Sequence, residues 1–188
     1  MTGFLVSTGV VALAEIGDKT QLLALVLAAK YRKPVPIILG ILIATLLNHA
    51  LAGVVGALIA AWVDPQIMRW ILAFSFIAMA IWTLIPDKYE EQEAAPPRIG
   101  VFLTTLFAFF VLEMGDKTQI ATVALAAKYP SLLAVVAGTT LGMMLANVPA
   151  VLLGEVAAKK LPMKLVHAIA AAIFLIMGIL LLVTNHYT

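Results

Sequence analysis

Six long apolar runs separated by short polar breaks leave this chain few ways to fold. They extend roughly from Phe4 to Ala29, Val35 to Val63, Ile67 to Ile85, Ile99 to Ala127, Leu132 to Ala157 and Met163 to Thr184. A membrane-spanning helix needs about 20 predominantly apolar residues, and each run reaches that length. Several exceed it, so tilt, a break or an interfacial end is expected. Hydrocarbon offers no partner for backbone N–H and C=O groups, so such runs must satisfy them internally, as helices. The expectation is an all-α integral membrane protein with six transmembrane helices. Composition agrees: 63% of residues are hydrophobic and 12% charged, far more apolar than a soluble domain. A net charge of +2, with its basic residues in short loops, gives no nucleic-acid footprint. The chain has no cysteine, which excludes disulfides, thiolate metal sites and thiol redox chemistry.

The first run contains Ala12-Leu13-Ala14, an A-x-A pattern that imitates a signal-peptide cleavage site. Met1-Thr2-Gly3 carries no Lys or Arg, however, and the peptide directly after Ala14 recurs mid-chain, where no cleavage signal operates. That peptide is Glu15-Ile-Gly-Asp-Lys-Thr-Gln21, repeated as Glu113-Met-Gly-Asp-Lys-Thr-Gln119 at an offset of 113 − 15 = 98. Between Glu15 and Tyr31 the same offset preserves 11 of 17 residues, and it pairs Gly40 with Gly138 and Gly56 with Gly154. The chain is an internal repeat. Each half holds three spans, residues 1–86 and 99–188, joined by a polar linker over 87–98 that contains Asp87-Lys-Tyr-Glu-Glu-Gln-Glu93 and Pro96-Pro97. An odd number of spans per half forces opposite orientations, an inverted-topology repeat of the kind many secondary transporters use.

Orientation depends on the loops. Connections 1–2, 3–4 and 5–6 carry Lys30, Arg32, Lys33, Lys88, Arg98, Lys159, Lys160 and Lys164, eight in all, against Arg69 and Lys128 on the other side. The positive-inside rule then puts both termini outside the cytoplasm and the acidic linker inside. Trp62, Trp70, Tyr31 and Tyr129 fall near span ends, as interfacial belts require.

Charged side chains within spans are costly and mark ion pathways. On a continuous helix Glu15 and Asp18 are i, i+3 and share a face that Gln21 extends; Glu113, Asp116 and Gln119 repeat this. Gly17 and Gly115 weaken the helix there, and a break would add main-chain carbonyls as ligands. If both motifs meet near the midplane, four carboxylates and two ammonium groups give −4 + 2 = −2, the charge that one divalent cation or two protons neutralise. Carboxylate, amide and hydroxyl oxygens suit Mn²⁺, Ca²⁺ or Mg²⁺, whereas zinc more often takes His or Cys. Desolvated like-charged carboxylates bind protons more readily, which would link ion release to proton uptake. The bland alternative makes Glu15–Lys19 and Glu113–Lys117 i, i+4 ion pairs, with the aspartates capping a break.

The metal-ligand candidates are Glu15, Asp18, Glu113 and Asp116, with Gln21, Gln119, Thr20, Thr118 and Asn147 beside them. Lys19, Lys117, Asn48 and His49 are candidates for ion pairing or gating, or for interhelical hydrogen bonds alone; the offset aligns His49 with Asn147. Glu155, beside Lys159, reads as an interfacial charge. Gly40, Gly53, Gly56, Gly138, Gly142 and Gly154 suit close helix packing, and Pro149 should kink the fifth span.

Both motifs match throughout the pattern Glu, apolar, Gly, Asp, Lys/Arg, Thr/Ser, and on these residues the chain resembles the GDT-type family of six-helix calcium/manganese:proton exchangers. The resemblance covers essentially the whole chain. It implies cation/proton exchange with Glu15, Asp18, Glu113 and Asp116 as the ion-binding carboxylates, and the short N-terminus looks like that of a bacterial, inner-membrane member. The resulting expectation is a secondary transporter that exports Mn²⁺, and Ca²⁺ as an alternative cargo, from the cytoplasm against protons. It needs no cofactor and no partner beyond the metal ion and the lipid bilayer, and it is compatible with a homo-oligomer. No G-x-x-x-x-G-K-[ST] fingerprint supports an ATP-driven pump. A divalent-cation channel with an acidic filter is the transport alternative. A membrane-embedded hydrolase with an Asp18/Asp116 dyad fits worse, because the lysine after each aspartate favours ionising both.

Overall fold

A computed structural model describes residues 1–85, 99–153 and 163–184, with Met163 by its backbone alone. The 87–98 linker and the candidates Gly154, Glu155, Lys159 and Lys160 lie outside the described residues. Among the described residues there are eight helices: α1 (Thr2–Glu15), α2 (Lys19–Tyr31), α3 (Pro34–Trp62), α4 (Pro65–Thr83), α5 (Val101–Glu113), α6 (Lys117–Lys128), α7 (Leu132–Leu153) and α8 (Met163–Val183). The series short, short, long, long occurs twice. Of the eight, α3, α4, α7 and α8 are long and apolar enough to cross a membrane.

The first and fourth apolar runs are not continuous helices, and this corrects the shared-face reading of Glu15 and Asp18. Each run is interrupted inside its motif. Ile16 and Met114 turn extended at ψ 118° and 119°, and Gly17 and Gly115 take φ of 83° and 76°, a region open to glycine at no steric cost. Asp18 and Asp116, extended at ψ 167° and 164°, then start the next helix. The break leaves amides without helical acceptors, and the motif glutamine supplies one: Gly17 N donates to Gln21 Oε1 at 2.9 Å, and Gly115 N to Gln119 Oε1 at 2.7 Å.

Helices of one half pack on helices of the other. α1 lies along α7, α3 along α5 and α6, and α4 along α8. Gly138 faces Phe4 and Ser7 while Gly142 faces Thr8 and Val11, so α7 runs in the same direction as α1; Gly40 against Phe102 and Gly56 against Val123 give α3 and α5–α6 the same relation. A Cβ at Gly56 or Gly138 would fall on the carbonyl oxygen of Val123 or Phe4, well inside van der Waals contact. The small-residue reading therefore holds for Gly40, Gly53, Gly56, Gly138 and Gly142. α7 continues through Pro149 as one helix.

Burial is inverted relative to a water-soluble bundle. On α3, Leu46, Leu47, Leu51, Val54 and Val55 are exposed while Thr45, Asn48 and His49 are buried. The outward apolar surface suits lipid, and the polar groups line the centre. Phe76 of α4 stacks on Phe174 of α8, ring centroids 6.3 Å apart, in an apolar cluster with Leu72, Met79 and Met177.

Candidate ion site

The two helix breaks bring their motifs together. Lys19 Nζ lies 2.7 Å from Asp116 Oδ1, and Lys117 Nζ lies 2.6 Å from Asp18 Oδ1. Each motif thus supplies an acid to the other's lysine. This replaces the i, i+4 pairs Glu15–Lys19 and Glu113–Lys117: the break swings each lysine away from the glutamate that precedes it. It also explains why neither aspartate's side chain caps its own helix, although each stands at the N-cap. The two aspartates are held by separate ammonium groups.

The glutamates occupy different surroundings. Glu15 Oε1 accepts from Asn147 Nδ2 at 3.1 Å, a bond from the first half to the second, while its Oε2 has no partner. Glu113 instead accepts a short hydrogen bond from Thr118 of its own motif, and its Oε2 is likewise unpartnered. Thr20, the counterpart of Thr118, has an unpartnered hydroxyl. Gln21 Nε2 reaches across to the Ala146 carbonyl at 2.9 Å, whereas Gln119 Nε2 reaches the Asn48 side chain at 3.5 Å, and Asn48 donates to the Phe110 carbonyl at 3.1 Å. The structure brings together Glu15 with Asn147, Glu113 with Thr118, Asp18 with Lys117 and Asp116 with Lys19. His49 is fully buried and neither ring nitrogen has a partner, so it does not grip Glu113 as Asn147 grips Glu15.

Glu15, Asp18, Thr20, Asn48, His49, Lys117, Thr118 and Asn147 are all essentially inaccessible to solvent. Yet among the described residues no three Asp, Glu or His side chains are gathered so that they could hold a metal ion together. What they offer a cation is a set of oxygen acceptors, carboxylate, hydroxyl and amide, some with unused lone pairs: Glu15 Oε2, Glu113 Oε2, Thr20 Oγ1 and Asn147 Oδ1.

One contact was missed at the sequence level. His167 Nε2 on α8 lies 3.0 Å from the Ile16 carbonyl, at the first break. Its signal was a histidine four residues into an apolar span, at the position the 98-residue offset pairs with Arg69. At the second break Met114 and Gly115 are exposed, and Gln119 is partly so.

A multi-helix bundle with an apolar exterior, two broken helices and buried, counter-paired carboxylates at the breaks defines a multi-pass membrane ion transporter. Residues 3–91 and 101–188 match the family described as Divalent cation/proton antiporter GDT1, and the chain belongs to that family. The chain is 52% identical over 180 residues to a Vibrio cholerae protein named "Putative manganese exporter", covering 95% of this chain and 90% of that one. It is 27% identical to the Synechocystis GDT1-like protein sll0615 (95% and 96% covered) and 28% identical to the Arabidopsis thaliana GDT1-like protein 5 (98% and 96%). No solved structure matches.

Proposed function

We propose that this antiporter exports Mn²⁺ from the cytoplasm of a bacterial cell across the inner membrane in exchange for protons, with Ca²⁺ as a competing cargo. The observation that carries this reading is the meeting of both motifs at two helix breaks, where Asp18 and Asp116 pair with the lysines of the opposite motif and Glu15 and Glu113 are buried. Oxygen donors without thiolate suit a hard divalent ion such as Mn²⁺, and the name of the Vibrio relative favours manganese. Protons replace the ion on the glutamates when it leaves, which couples the two fluxes.

In this reading α1–α2 and α5–α6 each cross the membrane as one broken span, giving six. The halves, residues 1–86 and 99–188, are inverted repeats joined by a cytoplasmic linker, and both termini are extracytoplasmic. The shared direction of α1 with α7 and of α3 with α5–α6 supports this, since alternating spans put the first parallel to the fifth and the second parallel to the fourth. The ligand set is the four carboxylates with Thr20, Thr118, Gln21, Gln119 and Asn147, assembled as the halves rock against each other. No resident cofactor takes part.

Reconstituted protein tests the reading. A proton gradient directed out of the vesicles should drive Mn²⁺ into them, and Glu113→Gln should abolish both fluxes. Metal movement indifferent to the gradient, with no opposing proton flux, would replace the antiporter by a channel.

A further inference from the structure

The two motif lysines sit on oxygens that the substrate ion is expected to use. Lys19 binds Asp116 Oδ1 and Lys117 binds Asp18 Oδ1 at ordinary ion-pair distance, and the acids are correspondingly not gathered into a cage. A divalent ion coordinates oxygen at about 2.0–2.6 Å, so ion and ammonium would crowd one carboxylate with like charge between them. We propose that Lys19 and Lys117 are tethered counter-cations: each vacates the other motif's aspartate when the substrate cation binds, and returns to that aspartate to expel it.

The reciprocity of the pairs gives the device its reach. Because each lysine belongs to one half and its aspartate to the other, releasing the ammonium also removes a charged link between the two halves at the breaks. Substrate binding is thereby tied to the relative position of the repeats, which a pair within one helix could not do.

The pairs are unequal. Lys19 retains 24% of its side-chain exposure, whereas Lys117 retains 1% and its partner Asp18 none. In this conformation the Lys19–Asp116 pair is partly open, through its lysine only, and the Lys117–Asp18 pair is closed. The cation therefore meets Lys19 first and Lys117 only afterwards. The inverted relation of the halves implies that the roles exchange when the site faces the other membrane surface.

This inference rests on the antiport reading, and its test separates the two. Neutralising one lysine takes the formal site charge from −2 to −3 and removes the competitor. Mn²⁺ binding to purified Lys19→Gln and Lys117→Gln, followed by electron paramagnetic resonance, should tighten by at least about tenfold. Maximal exchange in proteoliposomes should fall, because nothing displaces the ion, so KM and kcat decrease together. Lys→Arg at either position should restore wild-type affinity. Unchanged or weaker binding in folded variants of an active protein would overturn the counter-cation role and leave antiport standing. A wild-type protein that neither binds nor exchanges Mn²⁺ would overturn both. If Lys117→Gln fails to fold, the partly exposed Lys19→Gln decides the matter by the same two readouts.

Discussion

Asn147 donates its amide N–H to Glu15 Oε1 at 3.1 Å, joining the second half of the chain to the first at the floor of the site. The same amide group also faces the Met143 carbonyl at 3.1 Å, so its two hydrogens are committed and its Oδ1 is left for another donor or an ion. Asn147→Ala would remove Glu15's side-chain hydrogen-bond donor and strand a buried carboxylate. A cost of about 1–3 kcal/mol is the ordinary penalty for such a group. The variant should unfold at lower temperature and lose transport, whereas Asn147→Gln should keep part of both. Thermal unfolding in detergent alongside Mn²⁺ counterflow measures the pair of effects, and an inert Asn147→Ala would remove Asn147 from the site.

His49 stands where the repeat has Asn147, but no hydrogen bond engages either ring nitrogen. A buried polar group without a partner destabilises its host, so a same-sized apolar residue should be neutral or stabilising if packing were its only task. His49→Leu should therefore leave the thermal midpoint unchanged or raised. Transport should fall all the same if the imidazole serves the ion pathway. The sign of the two readouts, stability up and flux down, separates use from packing; both unchanged would make His49 a core residue.

The six apolar runs, the repeat and the four carboxylates were legible in the sequence, because each depends on residue type and spacing alone. The partners were not. Spacing of four between Glu15 and Lys19 suggests an intrahelical pair, but two backbone angles at Ile16 and Gly17 turn the chain so that Lys19 meets Asp116 instead, 97 residues away in sequence (116 − 19). Gly17 and Gly115 hinted at the breaks without fixing them, since glycine is also common inside membrane helices. His167 at the Ile16 carbonyl depends on how α8 packs on α1, which no local pattern records.

The breaks themselves make a clean prediction at Gly115. A Cβ there would meet nothing within 4 Å, so Gly115→Ala introduces no clash; it is penalised only by the positive φ of 76°. Left-handed backbone costs a non-glycine residue roughly 1–2 kcal/mol, which alanine escapes by straightening the chain towards a continuous helix. That would carry Lys117 away from Asp18. Gly115→Ala should lower transport well beyond its modest effect on the thermal midpoint, while Gly115→Asn, which tolerates left-handed angles better, should retain more of both.

The chain's lack of cysteine gives a direct measure of which pair is open, because any introduced thiol is unique. Lys19→Cys should react quickly with a membrane-impermeant methanethiosulfonate reagent from one side only, and Lys117→Cys slowly, in line with their 24% and 1% exposure. Reaction of Lys19→Cys with an aminoethyl reagent restores a positive charge and should return exchange towards wild type; a neutral reagent of the same size should not. Equal labelling of both positions would contradict the asymmetry of the two breaks.

The two ion pairs should also differ in what their loss does to the fold. Asp18→Asn breaks the 2.6 Å ion pair with Lys117 where solvent cannot reach, and breaking a buried pair costs about 3–5 kcal/mol. Asp116→Asn leaves Lys19, whose remaining exposure lets water take over part of the solvation, so its cost should be distinctly smaller. Adding Lys117→Gln to Asp18→Asn removes the other charge of the broken pair and should recover part of the lost stability without restoring transport, since the carboxylate is still missing. Thermal unfolding of the two single variants and the double variant gives the order Asp116→Asn above Asp18→Asn, with the double variant above Asp18→Asn. A double variant no more stable than Asp18→Asn would mean that the buried pair contributes to the fold by packing alone.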